Sequence, residues 1–353
     1  MEQGRDRLVR RARKAAIALT GLTLFVLALE MMKTGARALS PLLRGHLNIQ
    51  HAADSLGLGW LMAYVVMSGS PAAAIAVALL SARALSQIQA FAMVSGSRLG
   101  ASLIVLIIGF IYGLRGQEQR RALSTGVLSL LLTASVQLPA LAVGTAILRS
   151  EWLGSMDWLW LSRFSVGINE LLRPVLAPIT TLLPDWALFI AGGVLIATSL
   201  QLIDKALPRF GLEKAGLDRT SRLIYRPSVM FALGLLVTLL TLSVSVSIGI
   251  LVPLSARGYV RRENVIPYIL GANISTMIDT LGAAVILGTP GAVTVVTAHI
   301  LSTTIVSLPL IVLVYEPYKR LMSDILEWTM ESRRNFAIFM GAFFLVPIAL
   351  IMS

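Results

Sequence analysis

The sequence predicts an all-α polytopic membrane protein, an inverted-topology repeat with two re-entrant helical hairpins and two broken helices. Three observations predict it. First, 56% of the 353 residues are hydrophobic and only 14% are charged, with a mean hydropathy of +0.80, against about 25% charged in an ordinary soluble domain. Second, uncharged stretches long enough to span a bilayer alternate with basic clusters. Third, small polar interruptions of the first half return in the same order in the second. The composition excludes a soluble enzyme, a disordered chain and a disulfide scaffold. The net charge of +12 reflects basic residues gathering on the cytoplasmic side of a membrane and not a nucleic-acid partner. There is no cysteine, and the three histidines, His46, His51 and His299, have no metal-ligand spacing.

In chain order, residues 1–14 form a basic cytoplasmic N-terminus with Arg5, Arg7, Arg10, Arg11, Arg13 and Lys14. The first transmembrane repeat covers 15–148. Its opening span, 15–36, carries Glu30 and Lys33 near the outer end, where they snorkel or pair at i, i+3. A basic start before an apolar run imitates a signal peptide. The many further spans and the lack of a small-residue cleavage site make it the first span instead. Uncharged runs follow at 55–82, 99–114 and 122–148. Residues 149–185 form an external, interfacial linker, where Trp152, Trp158 and Trp160 suit an aromatic belt. The second, inverted repeat covers 186–315, with uncharged runs at 186–203, 227–256 and 280–315. A cytoplasmic segment and a final span, 335–353, make up 316–353.

If 55–82 and 227–256 each enter and return on one side, twenty-two Lys and Arg fall inside and seven outside, with Arg98 within a span. That distribution puts the N-terminus inside and the C-terminus outside a multi-pass cell membrane, a bacterial inner membrane.

The repeat is visible in short motifs. Leu80-Ser81-Ala82-Arg83 recurs as Leu254-Ser255-Ala256-Arg257. Upstream lie Met67-Ser68-Gly69-Ser70-Pro71 and Leu242-Ser243-Val244-Ser245-Val246-Ser247. Downstream lie Ser95-Gly96-Ser97-Arg98-Leu99-Gly100-Ala101-Ser102 and Gly271-Ala272-Asn273-Ile274-Ser275-Thr276. Three crossings between the halves turn the second upside down. Interrupted helices in an inverted repeat suit a substrate site near the bilayer midplane. Non-helical backbone at that depth is tolerated only where it is buried in protein or lines a wet cavity. Its freed N–H groups attract anions and its freed carbonyls attract cations. Ser70-Pro71 reads as a helix start, serine capping and proline opening the first turn. Small residues in such clusters also serve close helix packing in lipid.

At these motifs the sequence resembles the sodium/phosphate cotransporter family, the bacterial relatives of type II sodium-dependent phosphate transporters, over about 22–112 and 186–318. Gly271-Ala272-Asn273-Ile274-Ser275-Thr276 is similar to that family's second helix break. Ala298-His299 is similar to the Ala-His that follows it, and Leu24 to Gly35, through Glu30-Met31-Met32, to its opening helix. The sequence departs from the family at both hairpin tips. Met67 and Leu242 (or Thr241, one residue earlier) stand where the family has glutamine, and Arg98 stands in place of an asparagine. A helical C-terminal regulatory domain of some longer relatives is not expected.

The resemblance implies a secondary transporter of inorganic phosphate or a similar oxyanion, coupled to sodium and embedded in the lipid bilayer. No enzymatic motif and no cofactor are expected. The candidate substrate-binding residues are Ser68, Gly69, Ser70, Arg98, Ser243, Ser245 and Asn273. The candidate ion-binding residues are Asn273, Ser275, Thr276 and Asp279. Serines at the tips also cap local backbone, and His299 is either a packed core residue or a coupling residue. Arg98 and Asp279 form either a structural ion pair or a fixed cation beside a cation ligand. Two alternatives stand beside sodium symport: phosphate export or proton-coupled or uncoupled transport by the same fold, and a non-transporting membrane binding or scaffold protein.

Overall fold

The computed structural model describes the chain except residues 1, 40, 42–44, 46–48, 115–118, 156–158, 207–225, 257–259, 261 and 353. Every regular element among the described residues is helical. The first helix, α1 (Glu2–Gly35), ends in a 3-10 turn. It is followed by α2 (Ala52–Val66) and α3 (Gly69–Ser81), then α4 (Gln87–Ala101) and α5 (Leu103–Leu114), and the long α6 (Gln119–Arg149). After α7 (Leu159–Leu182) and α8 (Asp185–Ala206) come α9 (Pro227–Thr241), α10 (Val244–Ala256), α11 (Arg262–Ser275), α12 (Ile278–Leu287) and α13 (Pro290–Val312). The chain closes with α14 (Tyr315–Glu331) and α15 (Arg333–Met352).

Seven stretches among the described residues are long and apolar enough to cross a membrane: Ala12–Gly35, Gln87–Tyr112, Arg121–Arg149, Asp185–Ala206, Glu263–Leu287, Pro290–Val312 and Arg333–Met352. Two of them, α4 with α5 and α11 with α12, are interrupted midway. The paired helices α2/α3 and α9/α10 are shorter. At 1.5 Å per residue the 15-residue α2 and α9 reach about 22 Å, short of a hydrocarbon core of about 30 Å.

Local chemistry explains where these helices start and stop. Asp54 accepts the backbone N–H groups of Gln50 (2.8 Å) and His51 (2.7 Å) at the start of α2. Ser86 and Gln89 exchange bonds in a capping box at the start of α4, an arrangement that satisfies two orphan donors. Met67 and Leu242, at φ 54° and 49°, turn the chain between the paired helices. The uncharged run 280–315 is two helices and not one, because Gly288 takes a left-handed cap at φ 64° and Pro290 opens α13. The expected linker 149–185 contains the 24-residue α7, whose apolar residues Leu171 and Leu182 are exposed.

Packing repeats at a fixed interval. Gly59 of α2 lies on the Met93 carbonyl of α4, and Gly234 of α9 lies on the Tyr268 carbonyl of α11, each residue 175 places further on. Gly96 faces the Leu56 carbonyl and Trp60 N–H, and Gly271 faces the Phe231 carbonyl and Leu235 N–H, again 175 apart. A side chain at any of these glycines would overlap the facing backbone. The matched residues are therefore Met67 with Leu242 and Arg98 with Asn273. The Leu-Ser-Ala-Arg match lies 174 apart, so it is one residue out of register. Gly96 and Gly271 also prove to be crossing points and not the helix breaks. The interruptions come later, at Ser102 and at Thr276-Met277.

Each half reaches into the other. The arm α3 packs on α12, and α10 packs on α5, where Gly249 sits by Ile108. Helices α1 and α8 pack lengthwise, and α15 covers α2, with Tyr64 donating to the Phe343 carbonyl at 2.8 Å. At the centre stand α4, α6, α11 and α13.

Candidate functional site

Arg98 is the charged residue at the centre of this packing, with 4% of its surface exposed. It sits one turn before the end of α4. Its Nη1 donates to Thr276 Oγ1 at 2.9 Å, across the interface between the halves, and Nε reaches Ser97 Oγ at 3.5 Å. Its Nη2 is buried with no hydrogen-bond partner and rests against the backbone of Gly69. Only a glycine leaves room there, because a Cβ would overlap Nη2 and, 2.7 Å away, the Ser97 carbonyl. The unpaired donor therefore lies at the first turn of α3, where a helix has backbone N–H groups without intrahelical partners.

The start of α3 differs from the sequence expectation. Ser68 and not Ser70 occupies the cap position, and its side chain makes no capping bond. Pro71 falls at the third helical position, which is tolerated because that N–H is not needed inside the helix. The shift arises because the left-handed Met67 closes the turn two residues sooner. Ser68 and Ser70 are half-buried at the turn.

Asp279 lies in the first turn of α12. Its Oδ1 accepts from the Thr280 N–H and hydroxyl. Its Oδ2 is buried without a hydrogen bond of good geometry, beside the Ser70 hydroxyl. Arg98 and Asp279 attract each other through space. They make no direct ion pair, so the structural pair considered from sequence is absent among the described residues. The guanidinium instead goes to Thr276 and Gly69.

Gly69, Ser70, Arg98, Thr276 and Asp279 thus come together. Other predicted residues go elsewhere. Asn273 donates from Nδ2 to Thr133 Oγ1 of α6 at 3.4 Å. Ser275 bonds back to the Ala272 carbonyl at 3.4 Å. The Ser243 carbonyl accepts from Thr241 Oγ1 at 3.2 Å at the second tip, and the side chain of Ser245 is outside the described residues. The second hairpin has its own buried network: Thr238 Oγ1 donates to Ser247 Oγ at 2.7 Å, which meets Tyr268 OH at 2.8 Å. The matching positions in the first half are Ala63, Ala72 and Met93, so this polarity belongs to the second half.

His299 is fully buried, with Nδ1 3.3 Å from Ser95 Oγ and its ring tilted against Phe91. Lys33 reaches the Leu287 carbonyl at 3.2 Å and Glu30 at 3.6 Å, so it caps the C-terminal end of α12. Trp152 is exposed, and Trp158 lies outside the described residues. Sequence reading passed over Asp204 of α8, whose carboxylate is close enough to Asp279 for mutual repulsion. It also passed over Thr133, Gln137, Thr238, Ser247 and Tyr268. Of these, only Ser247 carried a visible signal, as the last serine of the alternating run at the second tip.

The cluster offers a fixed positive charge with one free donor, a helix N-terminus and the Asp279 carboxylate, with Asp204 acting on Asp279 through space. The first two suit an oxyanion, since charge-assisted donors bind it most strongly. The carboxylates suit a cation. Comparisons with protein-family models, with curated proteins and with solved structures find no match.

Proposed function

We propose that the chain is an inverted-repeat secondary transporter of inorganic phosphate or a similar oxyanion, with the anion held between Arg98 and the first turn of α3. The observation that carries this reading is the buried, unpartnered Nη2 of Arg98 lying on Gly69. An ionised group at membrane depth is expensive, so it pairs or faces a functional cavity. Here the group is paired on one side only. Phosphate has the charge and the acceptor oxygens to complete it.

The inverted repeat and the re-entrant hairpins belong to the same proposal. They are supported by arms too short to cross, by the packing contacts that recur 175 residues apart, and by basic residues that favour opposite sides for the two hairpins. Sodium coupling is supported by Asp204 lying close enough to Asp279 for the two carboxylates to repel, a repulsion that a bound monovalent cation relieves.

One observation favours the alternative of uncoupled or proton-coupled carriage. Arg98 Nη1 takes the Thr276 hydroxyl that the resemblance implies for the ion, so a fixed cation replaces a mobile one there. Labelled phosphate flux in proteoliposomes, with and without a sodium gradient, separates the readings. Gradient-driven accumulation supports symport. Flux indifferent to sodium supports the uncoupled carrier, and no flux above empty liposomes rejects transport of phosphate.

A further inference from the structure

The polar groups that the Arg98 cluster does not use form two stripes at the middle of α6 and α13. On α6 they are Ser129, Thr133 and Gln137, and on α13 His299, Thr303 and Ser307, all at most 2% exposed. Spacing by four residues puts each set on one helix face. Both faces turn to the central interior, because Thr133 meets Asn273 of α11 and His299 meets Ser95 of α4. The two broken helices are therefore each tied to the stripe of the opposite half, α4 at Ser95 and α11 at Asn273.

Within these stripes Ser129 Oγ, both amide atoms of Gln137, His299 Nε2, Thr303 Oγ1 and Ser307 Oγ have no partner among the described residues. Hydroxyls elsewhere on the same helices do not behave this way. Ser124, Thr125, Ser135, Ser302 and Thr304 donate back to carbonyls of their own helix, the usual refuge of a helical hydroxyl. The hydroxyls of Ser129, Thr303 and Ser307 have given up that bond and gained no protein partner. Leaving a buried polar atom unpaired costs more than a made bond returns. Six such atoms along two helices that pack on each other form a pattern that bound water relieves, since a buried water makes about three bonds.

We propose that the interior between α4, α6, α11 and α13 is hydrated and takes ordered water as its ligand along the two stripes. The stripe groups are neutral donors and acceptors, matched to water and not to a charged ligand. This inference rests on α6 and α13 spanning the membrane and not on the substrate, so phosphate flux and the following test fail independently.

The chain has no cysteine, so single thiols report cleanly. Ser129→Cys, Thr303→Cys and Ser307→Cys in the full chain, in proteoliposomes, are exposed to silver ion and then counted by maleimide after denaturation. Leu130→Cys and Leu132→Cys, equally buried on α6, serve as controls. The stripe thiols are expected to be consumed at least about tenfold faster than the controls, since thiol reactivity follows access. Equal rates in both sets overturn the proposal. Thermal stability gives a second reading that does not need thiols. Ser129→Ala and Thr303→Val lower the melting temperature if the groups hold water. A rise in melting temperature means a dry interior and also overturns it.

Discussion

Arg98 commits two nitrogens to hydroxyls and leaves the third on the Gly69 backbone, and this geometry sets what single substitutions do. Gly69→Ala puts a methyl against both Nη2 and the Ser97 carbonyl, so it displaces the donor and shifts the start of α3 on α4 without touching the charge. We expect phosphate affinity to fall roughly tenfold, about 1.4 kcal/mol, while the purified protein keeps its elution volume and helical spectrum. Unchanged affinity removes Nη2 from the site. Asp279→Asn is near-isosteric and keeps the Thr280 bonds at Oδ1. It is expected to leave phosphate flux present but independent of the sodium gradient. A variant with wild-type sodium dependence would show that Asp279 is not the coupling group. At this scale the sequence marked Arg98, Thr276 and Asp279 because ionisable and hydroxyl groups interrupt apolar runs. It did not mark Asp204, Gln137 or Thr133, whose significance depends on which helices become neighbours. A buried glutamine in a long apolar helix looks the same in sequence whether it faces lipid, a packed interior or a break.

Helices α2/α4 and α9/α11 cross through matched glycines, and these crossings are where the elements are least tolerant. A methyl at Gly59 or Gly234 meets a backbone carbonyl that cannot rotate away. Overpacking of this kind costs about 1–3 kcal/mol. Gly59→Ala and Gly234→Ala are each expected to lower the melting temperature, by similar amounts. A loss at one and none at the other would mean that the two crossings are not equivalent. The paired short helices and the two interruptions were legible as elements, because small polar residues break the apolar runs there. Their register was not. Leu-Ser-Ala-Arg suggested an interval of 174, whereas the glycine contacts set 175, since register depends on backbone approach and not on identity. The two-residue shift at the start of α3 has the same origin. A left-handed methionine was not foreseeable from a residue type that rarely adopts positive φ.

For the whole molecule, composition alone carried the membrane assignment, and the seven apolar helices agree with it. Orientation is a separate matter, because it depends on the charge bias and on the hairpins not crossing. Gln50→Cys precedes the first hairpin and Lys205→Cys precedes the second, and both positions are exposed. In sealed vesicles an impermeant maleimide is expected to label them from opposite sides. Labelling from one side would contradict an inverted arrangement. The central claim is that a buried guanidinium at the meeting of the two halves holds an oxyanion. Equilibrium binding of labelled phosphate to purified wild type and to Arg98→Gln tests it most directly. The account predicts saturable binding to wild type and a loss of roughly ten- to a hundredfold in the variant, the worth of a charged hydrogen bond, with the variant still folded. Equal binding to both proteins, or none to wild type, would contradict it.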